Sequence, residues 1–451
     1  MSQAKASRHD VARLFGRAAF GATAADLDTW TGKKYEDVVS SLVDIPGIDE
    51  RVPFFDDARR VTLDRGGSVD GGIGFLPLDQ AQFWWLDRMR TTQYPFEERM
   101  TLFWHDHFAT GPTDKGAGIG ALVAQNQTLR RNALGNFRTM CEEITLDPAM
   151  LFWLDGAFNS AFARNENYAR EFFELFTLGV LPQVYTEKDI RQSAMALTGW
   201  HTDGLTRLVF FDAGSHHPGK KKVLGRTIAD KGDQEYREIV DVALDQEVSP
   251  YFIGYKMVLN FAYVPSTRNV LKDPDPLIDK IAKSLRRTKW DLREAARTML
   301  LADEFRYAKA GQVVRQPIEL VVHATKALGV GAEDAAAVQM LGRMGQLPFK
   351  PPNVGGWPFG KDWLSPATFL ARYDWGLLAH QLFANGGFFA TPLPQPKDLK
   401  GWAARFGLAG LTKNTEAALR SYLASRRDAP VSELQAGLIA LIVSSPDWMV
   451  M

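Results

Sequence analysis

The sequence contains a single cysteine, Cys141, in 451 residues. One thiol excludes an intramolecular disulfide framework and any cysteine-built zinc or iron–sulfur cage. There is no charge excess of either sign: 53 Lys and Arg stand against 53 Asp and Glu. A coat for nucleic acid needs clustered positive charge, so no nucleic-acid partner is expected. Nowhere do about 20 apolar residues run together, the length that crosses a bilayer. The longest clean run, residues 438–443, is the size of a core helix, so no membrane partner is expected either. The first residues, MSQAKASRHDVARLFGRAAFG, hold no continuous apolar stretch of the secretory kind, and the expected location is cytoplasmic. The common catalytic signatures are missing too. There is no Walker loop, no G-x-G-x-x-G after a strand, no H-E-x-x-H and no G-x-S-x-G.

What is present is an ordinary globular composition with helical periodicity through most of the chain. Val11, Leu14, Phe15 and Ala18 recur at three-to-four spacing. Pro95 suits the first turn of a helix that reaches about Phe108, and Asp147 before Pro148 reads as a cap followed by an N1 proline. Thr186 and Asp189 approximate a capping box. Strand signal is thin: residues 208–211 and 222–224 are expected to pair as a short hairpin around a His-Gly-Lys segment. The expected fold is mainly α, a large multi-helical single-core protein with a minor β-hairpin. A helical core over 1–385, with the hairpin inserted at about 207–225, is followed by a possible linker at 386–400. Residues 401–451 form a C-terminal helical segment packing on that core. Glycine-rich residues 66–74 read as a loop.

The chemistry-bearing residues are distributed unevenly. His105-Asp106-His107 lies near the end of the Pro95 helix. Two positions on an ideal helix are about 200° apart, so the rings diverge unless the helix unwinds. Phe96, Met100, Phe103 and His107 share one stripe; Glu98, Thr101 and His105 share another. The segment reads either as a metal site or general base with a carboxylate orienter, or as a core histidine beside a C-terminal capping histidine. His216-His217-Pro218-Gly219 with Lys220, Lys221 and Lys222 reads either as a ligand or base beside an anion site, or as a solvated hairpin tip. On the amphipathic stretch that follows Asn165, Asn167, Glu171 and Glu174 line one face. These carboxylates fit acid–base work or a plain surface ion pair between Arg170 and Glu174. Gly199 is a natural helix terminator, which leaves Trp200 and His201 in the exit loop.

These segments, in this order, resemble the domain-of-unknown-function family 1800. The resemblance runs through RLFGRAAFG (13–21), FWHDHFAT (103–110), ALGNF (133–137) and DPAMLFWLD (147–155). NENYAREFFELFTLG (165–179), its most specific part, and YTEKDIRQSAMALTGW (185–200) follow. HHPGKKKVLG (216–225), RQPIELVVHATKALG (315–329) and GQLPFKPPNVGGWP (345–358) complete it. It covers nearly the whole chain and so implies one integrated unit. The family has no reaction attached to it. Relatives carry a His-Asn-His or similar at His105-Asp106-His107, often a His-Asp pair at His216-His217, and either His or Phe at Phe176. Many relatives look exported and are encoded beside a sulfatase-like protein, which makes such a protein a possible companion.

Three distant segments bearing His or Glu can converge in a helical protein. The expectation is a metal-dependent enzyme, hydrolytic or oxidative. Its possible divalent metal ion (Zn, Fe, Mn or Cu) is held by His105, His107 and His216 or Glu171. Glu171 or Glu166 then takes a proton, and Lys220, Lys221 and Trp200 bind a small-molecule or polymer substrate. The alternative is a non-enzymatic binding or assembly protein whose 12 tryptophans help line a groove for a peptide, glycan or protein. A common point for the ring nitrogens of His105, His107 and His216 would separate the two.

Overall fold

The computed structural model of the chain describes residues 4–46, 78–113, 118–181, 183–202, 208–265, 271–309, 313–329, 335–384 and 392–451. The 66–74 loop and residues 386–391 of the expected linker lie outside these. Among the described residues there are 22 α-helices and two two-stranded sheets, which makes the fold mainly α.

Local chemistry sets many helix ends. Ser7 and Asp10, Thr23 and Asp26, and Thr186 and Asp189 each form a reciprocal capping box at the start of a helix. Asp147 caps the Pro148–Trp153 helix, accepting the Met150 N–H at 3.0 Å, with Pro148 at the first position as the sequence implies.

The Pro95–His107 helix runs through the middle of the molecule, and every residue from Phe96 to His107 is buried. Phe96, Met100, Phe103 and Trp104 face one apolar lobe, built with the Arg8–Ala18, Phe137–Thr145, Glu235–Leu244, Val248–Phe261 and Pro276–Arg287 helices. Leu102 faces a second lobe, built with the Leu78–Thr91, Pro317–Leu328 and Val431–Val443 helices. A helix buried all round must pair its polar side chains internally. Glu98 accepts from Arg88 (2.5 Å), Trp85 Nε1 (3.0 Å) and Arg130, and these cations hold its carboxyl down at about 2 against the opposing effect of burial. Arg99 pairs with Glu319 at 2.6 Å.

The C-terminal helices close the second lobe. Trp448 stacks on His323 with ring centroids 4.1 Å apart, and Met451 N–H donates to the Val313 carbonyl at 2.8 Å. The described part of the expected linker is fastened down: Gln435 donates to the Pro394 carbonyl and Trp402 to that of Gln395.

Strand pairing differs from the expectation. Residues 208–211 do not pair with 222–224. Instead β1 (Trp200–Thr202) pairs with β2 (Val209–Phe211), and β3 (Lys221–Val223) pairs with β4 (Arg226–Ile228), both antiparallel. The reason lies in the turn. Leu224 and Gly225 both adopt positive φ (50° and 80°), the two-residue geometry that closes a tight hairpin, so β3 turns back on the residues immediately after it.

Candidate functional site

The β-hairpins and the two helices beside them gather one cluster of chemistry-bearing side chains. The Glu187–Ala196 helix ends just before Thr198 and Gly199. Gly199 is left-handed (φ +88°), and a Cβ there would stand 2.9 Å from the Asp212 carbonyl oxygen and 3.1 Å from His216 Cβ. Only glycine lets the β1–β2 hairpin lie this close to His216.

His216 is buried beneath this turn. Its Nδ1–H donates to the Thr198 carbonyl at 2.8 Å, which fixes the ring and leaves Nε2 as the free lone pair. Nε2 faces Glu235 Oε1 at 3.3 Å and Lys221 Nζ at 3.3 Å. Glu235 opens the Glu235–Leu244 helix and is wholly buried; its Oε2 lies 2.7 Å from the Lys221 ammonium. Lys221, on β3, also donates to the His217 carbonyl at 2.6 Å. Asp230 completes the cluster from the exposed side and accepts the Gly219 N–H at 2.8 Å. Ligand atoms of His216, Asp230 and Glu235 lie within 4.8 Å of one another, and among the described residues no other group of three or more His, Cys, Asp or Glu does so.

His105 and His107 are placed elsewhere. They do not form such a group with His216, Glu166 or Glu171. Each residue of the tripeptide instead holds the backbone of a distant segment. His105 Nε2 accepts the Phe349 N–H at 3.2 Å, Asp106 accepts the Trp357 N–H at 2.6 Å, and His107 Nε2–H donates to the Phe176 carbonyl at 2.9 Å. The rings sit among aromatics: His105 between Trp85, Phe349 and Trp357, and His107 among Trp104, Phe108, Phe137 and Phe176. Burial pushes His105 down to about 3 and His107 well below the ordinary imidazole value, while it pushes Asp106 up to about 6. Two buried atoms, Nδ1 of His105 and Nδ1 of His107, have no hydrogen-bond partner among the described residues. Phe176 lies in a π-helical stretch, Phe172–Thr177, that continues the Asn167–Glu171 helix. Such π-helical turns are rare and are frequent at functional sites.

The remaining candidates divide. Glu166 shares Arg170 with Glu187, whose bonds to the guanidinium are both 2.8 Å against 3.3 Å for Glu166. Glu171 is half-buried, and burial followed by the neighbouring Glu174 raises its carboxyl above the usual range. Lys221 belongs to the His216 cluster, and Lys220 is exposed beside it. Trp200 packs on Phe211 and on Tyr236, the neighbour of Glu235, with ring centroids 5.3 and 5.6 Å apart. Asp230 and Glu235 were not singled out from sequence. Both look like ordinary surface acids until β4 turns the chain back over His216.

No helix among the described residues is long and apolar enough to cross a membrane. Comparison with curated proteins and with solved structures finds no match. The family model described as "Protein of unknown function (DUF1800)" matches residues 13–450, which contain the central helix, both hairpins and the His216 cluster, and the chain belongs to that family.

Proposed function

We propose that the protein is a metal-dependent hydrolytic enzyme centred on His216, with a divalent ion held by His216 Nε2 and the carboxylates of Asp230 and Glu235. The observation that carries this reading is the convergence of those three ligand atoms within 4.8 Å. The Nδ1–H bond from His216 to the Thr198 carbonyl supports it, because metal-ligating imidazoles are characteristically oriented through their other ring nitrogen. One imidazole and two carboxylates suit Zn, Mn or Fe(II) better than copper. Bound there, such an ion supplies a water made acidic enough to attack near neutral pH. The protein's own groups do the rest. Asp230 lies at the exposed edge and leaves an approach from solvent, Lys220 offers charge at that edge, and Trp200 packs on Tyr236, the neighbour of Glu235.

One contact favours a second reading. The Lys221 ammonium already touches Glu235 Oε2 and His216 Nε2. In that reading the cluster is an internal ion pair that fastens β3 to the Glu235–Leu244 helix, and the protein is a binding or assembly protein without a metal. An ion enters only if the ammonium withdraws, and its existing bond to the His217 carbonyl gives it somewhere to stay.

Elemental analysis of protein purified without a metal-affinity tag separates the two, after incubation with Zn, Mn and Fe(II) and desalting. The proposal expects near-stoichiometric metal in the wild type and in His105→Ala/His107→Ala, and its loss in folded Glu235→Gln and His216→Ala. A wild type that stays metal-free, together with a Lys221→Met variant that also stays metal-free, overturns it. Metal lost only in the His105/His107 variant would return the site to the central helix.

A further inference from the structure

On the outer side of the same hairpins stands a second pair of groups that the metal reading does not use. His201 on β1 hydrogen-bonds Ser215, in the turn after β2, with 2.8 Å between Nε2 and Oγ. The other ring nitrogen, Nδ1, lies 2.9 Å from the Ala157 carbonyl oxygen. A carbonyl only accepts, so Nδ1 carries the hydrogen, and in the neutral ring Nε2 is the bare lone pair. The Ser215 hydroxyl can then donate to it, in competition with the Asp212 carboxylate, which also draws on that hydroxyl. A further acceptor, the Asp212 carbonyl, lies farther off at 3.1 Å. This is the tautomer and the direction a serine nucleophile needs from its base, with a backbone carbonyl as the orienting third group.

The pair is held firmly and is partly exposed. Ser215 N–H donates to the Asp212 carbonyl at 3.2 Å, and the Ser215 carbonyl accepts the Ala161 N–H at 2.8 Å. Asp212 N–H donates to the Gly199 carbonyl at 2.8 Å, which ties the turn to the start of β1. Neither Ser215 nor His201 is buried. Three exposed phenylalanines lie on the segments that hold the pair. Phe158 follows the Ala157 that orients His201, Phe162 follows the Ala161 that holds Ser215, and the Phe210 ring lies 5.7 Å from the His201 ring. Phe162 is 87% exposed, the most exposed large apolar side chain among those described. Apolar side chains with a few placed polar groups are the usual make-up of a small-molecule site, and here the Phe210 ring beside His201 supplies the apolar contact.

We propose that Ser215 and His201 form a nucleophilic dyad that accepts the acyl group of an apolar carboxylic ester. Ser215 Oγ bonds to the ester carbonyl carbon as its proton passes to His201 Nε2. The carbon–oxygen bond to the alcohol breaks, and the departing alkoxide takes that proton. Water then attacks the acyl-serine, giving one proton to His201 and through it back to Ser215, and the carboxylic acid leaves. No metal enters these steps, so the inference goes beyond the His216 centre and does not rest on it.

The test is covalent labelling with an alkyl fluorophosphonate, read by peptide mass spectrometry on protein stripped of metal by a chelator. Ser215 should carry a single adduct, formed at least about a hundredfold more slowly in His201→Gln, the loss expected when a general base is removed. Ser215→Ala should leave the protein unlabelled. Circular dichroism on each variant shows whether the fold is intact. A wild type that takes no adduct at Ser215, or a His201→Gln variant that labels as fast as wild type, overturns the dyad. Because the protein is metal-free throughout, failure of the metal reading leaves this result unaffected.

Discussion

The two histidine-bearing signatures of this chain are put to opposite uses. At the central helix, His105, Asp106 and His107 are sealed on all sides, and each side chain bonds a backbone group from a distant segment. At the hairpins, His216 spends one nitrogen on the backbone and presents the other to two carboxylates and a lysine beside a solvent-exposed edge. In sequence each place carries a histidine pair, His105/His107 and His216/His217. What distinguishes the two places is how many polar atoms the backbone has already claimed and whether solvent can enter.

The largest difference between the two places is expected at two glycines that both have left-handed φ. Gly356 has φ +83°, and a Cβ there would lie 2.3 Å from Asp106 Oδ1 and 2.6 Å from its carbonyl oxygen. Gly219 has φ +90° and nothing within 4 Å of a Cβ. Gly356→Ala should therefore cost about 3 kcal/mol or more, because strain and collision add. Gly219→Ala should cost only about 1–2 kcal/mol, the backbone strain alone. Urea unfolding of both variants checks the difference. Equal losses would mean that the packing around Asp106 is not tight.

The next effect is on acid stability. Above about pH 6.5 the imidazoles are neutral whether the chain is folded or not. Below that, the unfolded chain takes up protons that His105 refuses until about pH 3 and that His107 refuses as well. Unfolding then gains protons, so stability falls as pH falls, by up to about 1.4 kcal/mol per pH unit for each ring. Asp106 opposes this between about pH 6 and pH 4, since its raised pKa makes the folded carboxyl the first to protonate. His105→Gln keeps an acceptor for Phe349 and removes one titrating ring. Its urea midpoint should therefore depend less steeply on pH between 6 and 5, by about one proton. An unchanged slope would show that His105 is not sealed from solvent.

On the hairpin side, Lys221→Met removes the resident cation. The metal-free protein should lose stability, because Glu235 is left buried without its partner. Affinity for Zn or Mn should rise at least about tenfold, since an ammonium this close opposes an incoming cation by energies of that order or more. Calorimetric titration reads the change, and weaker binding in the variant would make Lys221 part of the site rather than its competitor. The smallest effect is expected at Glu166→Ala. Arg170 keeps its two 2.8 Å bonds to Glu187, so the change should cost less than about 0.5 kcal/mol and leave metal content as it was.

Features that depend on neighbours in sequence were legible. Thr186 with Asp189 and Asp147 with Pro148 announce helix starts from within four residues, and both are as expected. The spacing of His105 and His107 implies diverging rings, and their partners do lie in different segments. Pairing was harder to read. Strands of three residues carry too few side chains to fix a register, and a positive φ at Leu224 has no signal in its residue type. The stripe along the central helix marks His107 as inward but not the burial of His105, because the cover over His105 comes from Phe349 and Trp357. Asp230 and Glu235 were illegible for a related reason. An acid near a helix start reads as solvated unless the turn that folds it onto a histidine can be foreseen.

The bonds from the central helix also order events in time. His105 lies 244 positions before its partner Phe349, and Asp106 lies 251 before Trp357. At roughly 5–20 residues per second, a ribosome takes on the order of 10–50 s to supply the second half of each bond. Throughout that interval the helix can form but cannot be sealed, and His105 and Asp106 have only water or a chaperone to satisfy them. A chain released before Phe349 therefore ends with an open seam along its middle. Such a truncation should be recovered as aggregate or bound to chaperone, however many of its helices have already folded.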